Sequence, residues 1–195
     1  MRTAVINRKT NETDITLEIN LDGVGKHTID TGIGFLDHML SQIAVHGMCD
    51  LSIKIKGDLV VDQHHTVEDC GLVLGSAFKQ ALGDKRGLTR MASATVPMDE
   101  ALGQVIIDFS GRPYAVISTK WTSPMVGNLP TTLVEHFFES FAFASSATLH
   151  TIVHYGRNNH HISESLFKAF GRAVSSAIRI DPRRKDTIPS SKGVL

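Results

Sequence analysis

One motif occurs twice and constrains this chain most: His64-His65-Thr66-Val67-Glu68 and His160-His161-Ile162-Ser163-Glu164, both His-His-x-x-Glu, 96 residues apart. A second pair of segments, Leu36-Asp37-His38-Met39-Leu40 and Val134-Glu135-His136-Phe137-Phe138, shares the pattern apolar-acid-His-apolar-apolar at an offset of 98 residues. Two independent motifs at nearly one spacing point to an internal duplication. The repeats are expected to cover residues 1–91 and 92–185, with residues 186–195 forming a polar, irregular tail.

Periodicity places these motifs. Ile15, Leu17 and Ile19 alternate with polar residues, as do Leu51, Ile53 and Ile55, which predicts half-buried strands. A short strand reaching Asp30 is expected between them. Residues 35–46 carry apolar side chains at helical spacing and stop at Gly47; a second helix is expected over 63–82 with Asp62 as N-cap. The second half repeats this order, with strands near 93–97, 103–109, 114–120 and 151–155. Its helices are expected over 132–148 and from an Asn158 or Asn159 cap to about 180. The fold class is α+β: two duplicated half-domains, each a four-stranded antiparallel sheet with two helices on one face.

Residues four apart share a helix face, so His64 can grip one metal ion with Glu68, and His160 one with Glu164. Adjacent residues diverge by roughly 100° around a helix, so His65 and His161 face elsewhere and each His-His pair serves two ions. Adding His38 and His136 gives six histidines and two glutamates, or three His and one Glu per ion, with positions left open on an octahedral ion. Imidazole and carboxylate without thiolate suit Mn, Fe, Ni or Zn. Asp37 and Glu135, beside the isolated histidines, are candidates for orienting the ligands or for an interface. His27, His150 and His154 lack such partners and read as structural.

Other polar residues suggest a substrate. His38, Gln42 and His46 recur every four residues on one helix face. Arg90, Arg112, Lys168, Ser190, Ser191 and Lys192 could together hold a phosphate through guanidinium, ammonium and hydroxyl donors. Formal net charge is zero, which argues against a broad nucleic-acid surface. The two cysteines, Cys49 and Cys70, have no Cys-x-x-Cys spacing, so a disulfide scaffold or thiolate site is not expected and a reducing cytoplasm fits. No signal-peptide core is read at the N-terminus, and no apolar run is long enough to span a bilayer. Two metals and basic residues would also suit a dinuclear phosphate-ester hydrolase, or a metal-assembled structural shell without catalysis; a structural site would be closed, whereas three His and one Glu leave openings.

The chain closely resembles the imidazoleglycerol-phosphate dehydratase family of histidine biosynthesis. Thr31-Gly32-Ile33-Gly34-Phe35-Leu36-Asp37-His38-Met39-Leu40, Asp62-Gln63-His64-His65-Thr66-Val67-Glu68-Asp69, Asp99-Glu100-Ala101-Leu102, Ser110-Gly111-Arg112-Pro113, Val134-Glu135-His136-Phe137-Phe138, Asn159-His160-His161 and Pro189-Ser190-Ser191-Lys192-Gly193-Val194-Leu195 carry the resemblance from end to end. It implies a duplicated fold like the second domain of ribosomal protein S5. It also implies two Mn²⁺ per active site, one held by His38, His65, His160 and Glu164, the other by His64, Glu68, His136 and His161. A hollow octahedral 24-mer of trimers with metals at subunit interfaces is implied as well. The implied reaction dehydrates D-erythro-imidazole glycerol phosphate to imidazole acetol phosphate. Glu12 is its first candidate base and Glu164 the second. His38, His64, His160, Gln42, His46, Arg90, Arg112, Lys168, Ser190, Ser191 and Lys192 are its substrate contacts.

Overall fold

The computed structural model describes residues 1–184 and 186–195; Lys185, the expected end of the second repeat, lies outside them. The first repeat runs β1 (Thr3–Lys9), β2 (Thr13–Asn20), β3 (His27–Asp30), α1 (Gly34–Gly47), β4 (Asp50–Gly57) and α2 (His64–Leu82). The second runs β5 (Met91–Met98), β6 (Ala101–Asp108), β7 (Tyr114–Ser118), the short strands β8 (Met125–Val126) and β9 (Leu129–Pro130), α3 (Thr131–Ser145), β10 (Thr148–Tyr155) and α4 (Asn159–Ala177). Without β8 and β9 the two orders are identical. The sheets agree too: β1-β2-β4-β3 and β5-β6-β10-β7.

Both sheets are mixed rather than antiparallel as expected. β3 pairs with β4, and β7 with β10, in parallel. In each case a helix joins the two strands, and a strand-helix-strand connection to a neighbouring position carries the chain back to start the second strand in the same direction. The expected helix over 132–148 is shorter. Ser146 takes a left-handed conformation (φ 53°) and its N–H turns back to Ala142 and Phe143, ending α3 at Ser145. Met48 does the same after α1.

Each helix pair covers one face of its own sheet, and the two pairs pack on each other, α1 against α4 and α2 against α3. Leu36, Met39, Leu40 and Ile43 of α1, with Phe137, Phe138 and Phe141 of α3 and Phe167 and Phe170 of α4, are buried in this central layer. Truncating one of these phenylalanines to alanine would cost about 3–5 kcal/mol. Glycine permits the close approach: a Cβ on Gly71 would come within 2.8 Å of the Phe137 carbonyl, and one on Gly75 within 2.6 Å of that of Phe141. This cross-repeat packing brings His38 of α1 to the start of α4, and His136 of α3 to the start of α2.

Candidate metal centres

The two helices that carry the motifs begin alike. Asn158 Oδ1 accepts the His160 N–H at 2.9 Å, and Asp62 Oδ1 accepts the His64 N–H at 2.7 Å. In the first repeat Gln63 occupies the cap position itself and makes no side-chain cap bond, so Asp62 acts from one residue earlier than expected. These turns expose the first residues of both helices, where the histidines sit.

Two ligand triads result, each drawn from both repeats: His38 with His160 and Glu164, and His136 with His64 and Glu68. In the first, His38 Nε2 lies 3.3 Å and His160 Nε2 3.2 Å from Glu164 Oε2, and the Lys168 ammonium donates to Oε1 at 2.7 Å. Burial pushes the Glu164 carboxyl up, but the Lys168 hydrogen bond and charge, with His38, outweigh it and hold the group below its ordinary range. In the second, His64 and His136 each stand 3.7 Å from a Glu68 oxygen, with ring centroids 4.9 Å apart. His136 Nε2 is buried and has no hydrogen-bond partner among the described residues. A buried nitrogen left unpaired is costly unless something else accepts its lone pair. Convergent imidazole nitrogens, a carboxylate and one orphaned nitrogen fit a divalent ion better than they fit each other.

His65 and His161 point elsewhere, as the helix geometry demands. Asp58 oxygens lie 3.0 and 3.2 Å from His65 Nδ1, and Glu100 Oε2 lies 2.6 Å from His161 Nδ1. The other nitrogen of each faces an acid on the hairpin ahead: Glu12, between β1 and β2, 3.6 Å from His65 Nε2, and Asp99, between β5 and β6, 3.8 Å from His161 Nε2. A carboxylate on one ring nitrogen fixes the tautomer and leaves the other free to bind a metal. Asp58 hydrogen-bonds His65 and raises its pKa; the His161 hydrogen bond lowers that of Glu100 to about 2. Sequence reasoning missed Asp58, Asp99 and Glu100 as partners of these histidines. The signal was present for the last two, since Asp99-Glu100 lies in a segment carrying the resemblance.

Asp37 and Glu135 do not orient ligands within this chain. Asp37 Oδ1 accepts the Thr31 N–H and hydroxyl at 3.0 and 2.6 Å, shaping the turn before α1, and Glu135 accepts the Trp121 indole N–H at 2.7 Å. Gln42 lies under His38, its Nε2 3.5 Å from the ring Nδ1. His46 sits one turn beyond Gln42, lining a polar groove together with Arg172 and Arg179.

The six phosphate donors do not gather in one chain. Lys168 is at the metal end, its Nζ 3.3 Å from Met98 Sδ. Arg90 is at the opposite end of β5, where two of its nitrogens bond Asp108 at 2.6 and 2.9 Å and a third bonds the Pro189 carbonyl at 2.8 Å. β5 and β6 pair from Met98 with Ala101 to Met91 with Asp108. Seven residues of extended chain separate those ends by about 23 Å. Arg90 thus ties the 189–192 loop to β6 near Arg112, far from the triads of its own chain.

Comparison with known proteins bears on this arrangement. The model of the family described as imidazoleglycerol-phosphate dehydratase matches residues 31–174. The imidazoleglycerol-phosphate dehydratase of Methylorubrum extorquens is 53% identical over 195 residues, covering 100% of both chains. The crystal structure of the Pyrococcus furiosus enzyme aligns with a TM-score of 0.84 at 35% identity, over 97% of this chain and 100% of that one. That of the Staphylococcus aureus enzyme aligns with a TM-score of 0.83 at 34% identity, over 92% and 99%. No helix among the described residues is long and apolar enough to cross a membrane.

Proposed function

This chain belongs to the imidazoleglycerol-phosphate dehydratase family, hydro-lyases of histidine biosynthesis, and from that premise we propose that it converts D-erythro-imidazole glycerol phosphate to imidazole acetol phosphate and water with two Mn²⁺ per active site. The two cross-repeat triads carry the proposal, above all the orphaned His136 nitrogen facing Glu68. His38, His160 and Glu164 would hold one ion with a His65; His64, Glu68 and His136 would hold the other with a His161. The fourth ligands stand outside the triads of their own chain, which supports their supply by a neighbouring copy. The same step would bring the 90, 112 and 189–192 end of one chain to the Lys168 end of another. An octahedral 24-mer of trimers satisfies both demands, and a cytoplasmic location suits the chemistry.

The chemical difficulty is that the proton to be lost has no adjacent carbonyl to stabilise the charge left behind. The substrate's imidazole must act as the electron sink, and divalent ions held by the two triads would supply Lewis acidity to it. As the ring gives up its N–H proton, its electrons expel the neighbouring hydroxyl, which takes up a proton and leaves as water; the side-chain proton removed next restores the ring's own. Glu12 is placed to take the side-chain proton, at the mouth of the hairpin facing His65. Glu164 is the alternative base, but it is committed to Lys168 and two histidines. Release of the enol lets it relax to the ketone. Arg112, Ser190, Ser191 and Lys192 would grip the phosphate, Arg90 would steady their loop, and Gln42 and His46 would line the path between.

Metal analysis with turnover, before chelation, after it and on re-addition of Mn²⁺, tests the reading. Loss and recovery of dehydration, with assembly followed by light scattering, is expected. Full activity in metal-stripped protein would overturn it.

A further inference from the structure

Asn159 is the first residue of α4, between the capping Asn158 and the triad histidine His160. Its side chain has no capping duty, because Asn158 already accepts the His160 N–H. It is nonetheless buried, at 6% exposure. A buried amide needs partners. Those it finds among the described residues all lie in residues 119–130, the stretch between β7 and α3 that residues 31–33 replace in the first repeat. The Thr122 N–H and hydroxyl donate to Asn159 Oδ1 at 3.0 and 2.9 Å. Asn159 Nδ2 has the Ser123 carbonyl, the Ser123 hydroxyl and the Met125 carbonyl at 3.0, 2.9 and 3.1 Å. The β8–β9 hairpin follows, seated by the buried Val126 and Leu129.

The place of this fastening matters because His160 has little else to hold it. The His160 side chain is 46% exposed, with Phe35 edge-on at a ring distance of 5.3 Å and the tilted His38 ring at 5.4 Å. The hairpin borders both neighbours: Val126 and Gly127 line one groove with His160, and Gly127 and Leu129 line another with Gly34 and Phe35. In the first repeat the residue 96 positions earlier is Gln63, which makes no cap bond, and no hairpin precedes α1. We propose that Asn159 is a positioning residue of the Glu164 centre. By fastening the 119–130 segment to the start of α4, it fixes the backbone from which His160 is presented. The proposal rests on the reading of the triads as metal centres. A ligand held in place beforehand gives up less freedom when it closes on an ion. The Glu68 centre is independent of this fastening: His136 lies beyond the first turn of α3, where Leu133 and Val134 are buried and the Thr131 N–H keeps its own bond to Pro124.

Assembled protein, stripped of metal and titrated with Mn²⁺ alone, tests this. The binding step of the Glu164 centre is the one that Glu164→Gln removes. Asn159→Ala should weaken that step about tenfold, the lower end of the cost of losing an outer partner of a metal ligand, and leave the other step unchanged. In the metal-free variant, hydrogen exchange should show that the Thr122 N–H has lost its protection. Thr122→Val removes one hydroxyl bond and keeps the backbone N–H. It should shift the same step in the same direction by less, and it carries the test should Asn159→Ala fail to fold. Loss of Thr122 protection with both steps unchanged, or with both weakened alike, would overturn the proposal, because Asn159 would then serve stability alone. A wild type that takes up no Mn²⁺ would instead overturn the reading of the triads, and this proposal with it, before any variant is made.

Discussion

Glu164 is 9% exposed, wedged between two histidines and Lys168, whereas Glu68, its counterpart in the first repeat, is 39% exposed and has Leu72 where Lys168 stands. The ligand types are the same in both triads because helix spacing and the cross-repeat packing are the same. What holds the carboxylate differs. Duplication has copied the donors, and later divergence has changed their surroundings, making one acid preorganised and the other loose. A preorganised acid loses less freedom on binding a cation, but Lys168 must first give it up.

The sharpest way to break this comparison is to remove each acid in turn. Glu164→Gln and Glu68→Gln should each lose one of two metal equivalents. Either change should cut turnover by at least about a thousandfold, beyond the roughly 10–100-fold cost of losing an outer partner of a metal ligand. Metal analysis and turnover together check this. Loss of both ions from either single variant would mean that the triads are one coupled unit.

The hairpins ahead of the two motifs offer the next contrast. Glu12 and Asp99 approach His65 and His161 at 3.6 and 3.8 Å, in equivalent places. If only Glu12 serves as base, Glu12→Gln should keep its metal and lose about a hundredfold in turnover, the lower end for general acid–base catalysis. Asp99→Asn should stay near wild type; Asp99 sits at φ 45°, a conformation asparagine tolerates. Near-normal turnover in Glu12→Gln would remove it as the base.

How much of this could be read from the sequence follows from which physical signals are local. The motif helices, the split of each His-His pair and the half-buried strands β2 and β4 depend on short-range periodicity, and they were legible. β1 was not, because only Ala4 of its seven residues is fully buried, so its alternation carries little hydrophobic contrast. Parallel pairing was not, because a strand's own side-chain pattern is the same whichever way its neighbour runs. The β8–β9 hairpin has only two residues per strand, too few for any period to register. The separation of Lys168 from Arg90 was hidden for a different reason: a list of phosphate donors carries no information about which end of a strand each one occupies.

Lys168 gives a smaller test of the difference between the triads. An ammonium on Glu164 repels an incoming divalent cation as well as occupying an oxygen. The Glu68 centre should therefore fill first in a Mn²⁺ titration followed by electron paramagnetic resonance. Lys168→Met should bring the two affinities together, by about tenfold at the Glu164 centre. Two equal affinities in the wild type would show that preorganisation offsets the repulsion.

The smallest effect concerns the carboxylates that fix His65 and His161, and it is read as stability of metal-free protein against pH. Glu100 is held at about 2, well below an unfolded glutamate near 4.5, first of all by its hydrogen bond with His161. A depressed carboxylate contributes stability above the unfolded pKa and loses it as pH falls through the folded one. Glu100→Gln should thus be less stable than wild type at neutral pH, with the gap closing between about pH 4.5 and 2. His65 is shifted upward by Asp58, so its contribution is complete below the unfolded value of 6.5 and is lost as pH rises through the folded pKa. Asp58→Asn should therefore differ most from wild type in mild acid and converge toward it on the alkaline side. Denaturant midpoints across pH separate the two cases. If both variants converge with wild type at the same edge, the two histidines are held in the same way and the contrast between the metal centres rests on Glu68 and Glu164.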